Sequence, residues 1–384
     1  MKKKVTICLI IIIIFACCSC KGNVLNSDTM VSSSGVKDKS TDELQNLLDN
    51  YADANMMIYL SENELMLLDN EIRIIDIKRG EEVKNLGDSS DYIGMLRNFP
   101  YEEGFICAYL RSEAEDMFSY GEDREVMLDY YDRTLNKVKT ISVREEYNLQ
   151  PSVPDDITAN NNGDIAIYDS NRGLFLIRQN AETVESIITM DEYGLVNISG
   201  YKIRINDNIQ FGNEETIYCL AVNLEGDNSI YGVLKINLED RTMNFFDLGD
   251  EYTNLLVGNK YACIAQECGY TSPTGKIIRI DSKGKNGITC DDKKESGRVF
   301  LSDEGNYLCT IIEDDNLWKL RVYDVEKGEK VQDITVSDIS TEEYVTDALI
   351  FEDEKTLIVW FDERSNLLQG DKYQVLDLEL KNED

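Results

Sequence analysis

One residue type that chemistry relies on is missing from this 384-residue chain: it contains no histidine. Without an imidazole, a Ser-His-Asp triad, a Cys-His pair, H-E-x-x-H zinc chemistry and any histidine-ligated metal site are excluded. Carboxylates are plentiful instead, with 73 Asp and Glu against 39 Lys and Arg and a net charge of −34. Glycoside hydrolysis needs two carboxyl groups about 5 to 9.5 Å apart across a sugar, and so many acids create such pairs by chance. Acidic runs occur at Glu113, Glu115 and Asp116; Glu122 and Asp123; Asp155 and Asp156; Asp291 and Asp292; Glu313, Asp314 and Asp315; and Glu352, Asp353 and Glu354. None has the every-second-residue spacing with which a calcium loop supplies its oxygens, so each reads as a solvated turn. G-x-G-x-x-G, Walker A, G-x-S-x-G and complete EF-hand patterns are absent. No catalytic residue, cofactor or metal site is assigned.

Thiols and phenols come next. Cys107, Cys219, Cys263 and Cys309 lie in the similar apolar runs FICAYL, IYCLAV, YACIA and YLCTII. Equivalent positions in separate repeats lie too far apart to bridge, because a disulfide needs Cα atoms within about 7 Å. These cysteines read as buried small hydrophobes. Cys263 and Cys268 are near enough in sequence for a local hairpin bridge, and Cys290 completes the set. Of 21 tyrosines, Tyr101, Tyr109, Tyr120, Tyr130, Tyr131, Tyr252 and Tyr270 fall in or beside loops and inserts. Tyrosine offers rigid contact area with a polar end. Tyr101, Tyr120, Tyr252 and Tyr270 are the candidate recognition surface, the last within the long turn GYTSPTG, although most tyrosines of a β-rich chain simply pack.

The compartment is set by the start, MKKKVTICLIIIIIFACCSCKGN. Lys2, Lys3 and Lys4 precede an uncharged run from Val5 to Ala16. As a helix that run is about 18 Å long, short of a hydrocarbon core of about 30 Å, so a cleaved signal over 1–19 fits better than a membrane span. The run ends in Cys17, Cys18, Ser19 and Cys20, which resembles the lipobox of bacterial lipoproteins. The resemblance implies lipidation of a cysteine that becomes the new N-terminus. Cys20, after Ser19, is the best match, and Cys17, with Ile14 and Ala16 before it, is the runner-up. It further implies attachment to the extracytoplasmic face of the cell membrane through the lipid alone. The strongly negative charge excludes a nucleic-acid binder and direct adhesion to an anionic membrane surface. It is compatible with a basic partner.

After the lipidation site, Lys21 to Ser40 is polar, Ser-rich and aperiodic, which reads as a tether. The short helical lead-in over 41–53 opens with a possible cap at Thr41 and sets Leu44, Leu47 and Leu48 on one helical face. From Ala54 onward, short β-rich runs alternate with Gly, Asn and Asp, and no amphipathic helix interrupts them. The class is all-β rather than βαβ.

The runs also repeat. The fullest copy is FLSDEGNYLCTIIEDDNLWKLRVYDVEKGEKVQDITV, Phe300 to Val336. Taking the end of the third strand in each copy gives Asp76, Asp132, Ile177, Asn237, Asp281, Asp324 and Asp377, with EAEDMFSYGED and Gly200 to Phe211 read as inserts. This spacing fits the period of a propeller blade. A four-stranded blade cannot bury both faces alone, whereas blades stacked radially can. A β-sandwich pair or an irregular solenoid is the competing architecture. The arrangement, with the segment YDVEKGE at Tyr323 to Glu329, resembles WD40-like and TolB-like β-propellers over about Ala54 to Leu380, although repeated Trp-Asp ends are missing. The implied fold is a propeller of seven four-stranded blades filling 54–384.

The expected function is non-enzymatic recognition or assembly at the cell surface, through rim loops that bind a protein or another cell-envelope component. An enzyme using paired carboxylates in the central channel is the alternative. A two-lobed solute-binding lipoprotein does not match an all-β chain, and with four residues after Leu380 a hydrolase domain of the kind that follows some propellers is not expected.

Overall fold

The computed structural model describes residues 39–380 except 52–55, 69–70, 89–94, 112–124, 135, 145–153, 182, 225–228, 250–253, 266–276, 282–283, 289–297, 315–316, 337–342 and 364–371. Seven antiparallel sheets follow one another along the chain, as blades 1 (Met56–Asp88), 2 (Met95–Ser142), 3 (Asp156–Thr189), 4 (Val196–Asp247), 5 (Asn254–Ile288), 6 (Val299–Val336) and 7 (Glu343–Asp377). Within each blade the strands run in sequence order. The first strands of successive blades are neighbours, and the first strand of blade 7 returns to that of blade 1. The seven first strands therefore ring a common axis, and the later strands step outward. This is the seven-bladed β-propeller expected from the repeats.

Burial explains why these sequences settle into this geometry. The second strand of blade 4, Thr216–Asn223, is buried at every position because it has a blade on each face. The outer strand Lys137–Ser142 of blade 2 is exposed over its first four residues. Among the described residues the apolar core divides into seven clusters, and each joins two adjacent blades. Leu60, Met66, Phe105 and Tyr131 join blades 1 and 2. The pairs from blades 2–3 through 6–7 follow in turn. The seventh cluster closes the ring, with Met57, Leu65 and Ile75 of blade 1 against Phe351, Ile358 and Val375 of blade 7. No blade buries its faces alone, so stability is shared around the circle.

All seven positions read as third-strand ends do end the corresponding strand. Two blades depart from four strands. In blade 4, the stretch from Gly200 to Phe211 is not an insert. It lies almost wholly in the first strand, Tyr201–Asn213, whose leading half pairs with an added short strand, Val196–Ile198. Blade 7 shows three strands among the described residues.

Beside the outermost of these, Lys372–Asp377, lies helix α1 (Lys39–Leu48), which starts before Thr41 rather than at it. Thr41 therefore does not cap the helix; its hydroxyl donates to Asp377 Oδ1 (2.8 Å). Leu44 and Leu48 are buried in the ring-closing cluster with Leu47 packed against it. Gln45 behaves like a piece of missing strand. Its Nε2 donates to the Tyr373 carbonyl (2.9 Å) and its Oε1 accepts from Val375 N–H (2.8 Å). The same two-point amide clamp recurs twice between blades: Gln210 holds Leu255 and Val257, and Gln332 holds Asp377 and Glu379. A primary amide presents a donor and an acceptor side by side, which is what an edge strand offers.

Candidate functional site

The turn between first and second strands of each blade faces the axis at one end of the ring. Reading these turns in order gives Ser61–Glu64, Tyr101–Gly104, Asn160–Gly163, Asn213–Glu215, Gly258–Lys260, Ser302–Gly305 and Glu352–Lys355. Two adjoining cavities of about 700 and 680 Å³ lie at this mouth and share Pro100, Asn161, Glu214 and Asp303. Their walls come from six blades.

Backbone bonds between turns fix the geometry. Glu102 N–H donates to the Asn161 carbonyl (2.7 Å), Asn259 N–H to Asp303 (2.9 Å) and Lys260 N–H to Glu304 (2.9 Å). Blades 5 and 6 approach so closely here that a Cβ on Gly258 would sit 2.5 Å from Gly305 Cα. Gly305 itself has φ +82°, a conformation open to glycine. The backbone of Asp303 and Glu304 is thereby pinned by the neighbouring turn.

The mouth is acidic. Where the turns of blades 6, 7 and 1 meet, Asp303, Glu304, Glu352, Asp353 and Glu62 converge around Tyr59, whose ring stacks on Phe351 at 5.3 Å. Burial, and after it the charges of Glu304, Glu352 and Glu62, together push the Asp303 carboxyl up to about 6. Glu62 is raised chiefly by the charge of Asp353, which also hydrogen-bonds to it. Burial, then Asp303 and the same glutamates, raises the Tyr59 phenol. Every charge acting on Asp303 is another carboxylate. Lys78 pairs with Glu354 of the blade 7 turn (2.9 Å) and acts on Asp353 beside it, while Lys260 is engaged with Glu326 (3.2 Å) and Arg133 with the Glu102 carbonyl (2.7 Å). Among the described residues no group of three acids or cysteines has the geometry of a metal site.

Asp303, Glu304 and Glu62 draw no attention in the linear sequence, and the Glu352 run looks there like a solvated turn. The signal emerges once the repeats are aligned. The inner turns read SENE, YEEG, NNNG, NEET, GNKY, SDEG and EDEK, acidic in five of seven blades.

Of the candidate tyrosines, Tyr101 lies in the inner turn of blade 2 and lines the mouth. It is 7% exposed, edge-on to Tyr130 at 5.9 Å, and its hydroxyl donates to the Tyr131 carbonyl at 3.4 Å. Tyr130 and Tyr131 are buried between blades. Tyr120, Tyr252 and Tyr270 lie outside the described residues, as do Cys20, Cys268 and Cys290. Cys107, Cys219, Cys263 and Cys309 are free and fully buried in the second strands of their blades. The partner expected for Cys263, Cys268, is outside the described residues. Burial raises all four thiols, Cys263 and Cys309 to about 12, which leaves them inert as nucleophiles.

No protein-family model matches the sequence, and no curated protein does. The fold is similar to that of solved propellers. The β-propeller domain of the Trilobed protease from Pyrococcus furiosus, described as having an open velcro topology, superposes with TM-score 0.52 at 9% identity over 86% of this chain and 96% of that one. Kuenenia stuttgartiensis hydrazine synthase superposes with TM-score 0.50 at 11% identity, over 86% and 97%. TolB from Acinetobacter baumannii aligns at 12% identity over 83% and 80%, with a TM-score of 0.37 that is too low to argue from. At such identities the likeness extends to the fold and no further. The chain is a seven-bladed β-propeller.

Proposed function

We propose that this protein is a membrane-anchored recognition lipoprotein, attached through Cys20 at the extracytoplasmic face, that binds a cationic segment of a protein or cell-envelope partner at the acidic mouth. One observation carries the reading: carboxylates from separate blades converge on Asp303, and among the described residues every charge acting on it is another carboxylate. Like charges held together cost folding free energy, and a fold that retains them gains it back when an opposite charge arrives. The seven inner turns supply the rigid frame, and Tyr59, Pro100 and Tyr101 supply apolar contact beside the acids.

The test is fluorescence anisotropy of a lysine-rich and a glutamate-rich peptide of equal length against the full chain. The lysine peptide binds, and its affinity falls steeply as salt rises. Equal binding of both peptides, or of neither, contradicts the reading. Attachment is tested separately by fatty-acid labelling in a bacterial host, which Cys20→Ala abolishes.

A second reading rests on the raised pKa of Asp303 beside other carboxylates, the condition for a general acid in glycoside hydrolysis. Hydrolysis of oligosaccharides that is lost in Asp303→Asn would establish it.

A further inference from the structure

We propose that the corner where the inner turns of blades 1, 6 and 7 meet is a subsite for a single ammonium group, the end of a lysine side chain or of an aliphatic amine. The inference rests on the acidic-mouth reading and narrows it to one ligand group and one place.

Two side-chain donors reach the corner acids, Asn306 Nδ2 to Glu352 Oε2 (2.9 Å) and Asn259 Nδ2 to Glu304 Oε1 (3.0 Å), whereas Glu352 Oε1 is sealed from solvent and accepts nothing among the described residues. Asn63 Oδ1, one residue from Glu62 and on the wall of the same cavity, is also buried without a donor. Among the described residues no hydrogen bond reaches the Asp303 carboxyl. Glu62 and Asp353 meet acid to acid. Buried acceptors are normally satisfied, and leaving one unpaired is costly. Unpaired acceptors on turns from two blades, beside a desolvated carboxyl on a third, describe a space completed by a ligand that brings donors and positive charge together.

The chemistry favours an ammonium over the other cations. A calcium ion takes six to eight converging oxygens, and no such group is found among the described residues. A guanidinium is a planar fork suited to one carboxylate face. An ammonium is compact, with three donors pointing apart, and so can reach acceptors on separate turns. The half-buried Tyr59 ring beside the acids is a suitable wall for a cation or its alkyl stem.

The test uses the full chain and a labelled peptide bearing one central lysine, alongside its arginine and Nε-acetyl-lysine counterparts. The lysine peptide binds best, the arginine peptide several-fold more weakly, and acetylation abolishes binding. Asp303→Asn and Glu352→Gln each weaken the lysine peptide about tenfold. Glu329→Gln, an exposed change on the outer strand of blade 6, leaves it unchanged. Thermal melts of both corner variants check that they are folded. If arginine binds as well as lysine, or if Glu214→Gln across the mouth weakens binding as much as Glu352→Gln, the attraction is general to the mouth. The corner subsite is then overturned while the acidic-face reading stands. Displacement of the peptide by calcium chloride, but not by sodium chloride of equal ionic strength, would also overturn it in favour of a metal site. Absence of binding by every peptide overturns both.

Discussion

Blade 3 and the corner of blades 6, 7 and 1 both place aspartates beside the ring axis, and they treat them in opposite ways. In blade 3, Asp164 is buried and fully engaged. It accepts from Arg178 Nη1 (2.9 Å), Gln179 N–H (2.9 Å) and Asn160 Nδ2 (3.1 Å). Asp156 accepts from the amides of Asn208 (2.9 Å) and Ile209 (2.7 Å) across the seam to blade 4, with Arg97 at 3.4 Å. At the corner, Asp303 has only carboxylates acting on it. The residue type is the same in both places, and the partners decide the role. An acid surrounded by donors holds the ring together; on the proposed reading, an acid surrounded by acids is held for a cationic ligand.

Four experiments break or sharpen that contrast. The largest effect is expected from Asp164→Ala, which removes the acceptor shared by Arg178, Asn160 and the Gln179 amide. It should destabilise by about 2–4 kcal/mol, read as a lower urea midpoint. Next, Asp303→Asn should stabilise the protein at pH 7.5 by about 1–2 kcal/mol, because it removes a charge the native state disfavours. A loss of stability there would place Asp303 among the structural acids.

The third is the pH dependence of that gain. The folded pKa of about 6 lies above that of a free aspartate, so the native state binds the extra proton between about pH 4 and 6. The stability withheld by Asp303 is absent at neutral pH and recovered as pH falls through 6. The gap between Asp303→Asn and the parent should therefore shrink toward zero at about pH 4.5. The groups facing Asp303 are Tyr59, Glu62, Glu304 and Glu352, all acidic, so none reverses the sign. Asp347, raised to about 6 by burial against the opposing pull of the Ala348 amide and Arg298, stays in both proteins and cancels in the comparison.

The smallest effect tests whether the seam beside the corner is independent of it. Gln45→Ala removes two hydrogen bonds to blade 7 and should cost about 1–2 kcal/mol in urea denaturation, with peptide affinity at the mouth within about twofold of the parent.

The two regions also differ in how far they can be read from sequence. Third-strand ends from Asp76 to Asp377 follow from local alternation and turn residues, because a blade is a local object. The buried cysteines of the second strands share that legibility. The Tyr201–Asn213 strand resembles an insert in sequence because its polar residues interrupt the alternation, and pairing on two sides overrides local propensity. Helix α1 is visible in Leu44, Leu47 and Leu48, but its place against blade 7 depends on Gln45 meeting a backbone 328 residues further along the chain. The corner is hardest, since Glu62, Asp303 and Glu352 meet only when the ring closes. Each alone looks like an ordinary solvated turn, and only their register within the repeat sets them on one rim.

The central claim is that the corner acids are kept for a ligand at the expense of stability. Thermal melts of the parent and of Asp303→Asn at pH 7.5, each with and without saturating lysine-rich peptide, test it most directly. Asp303→Asn should melt above the parent without peptide, and only the parent should gain substantially when peptide is added. A variant that melts below the parent, or that keeps the full peptide-induced rise, would contradict it.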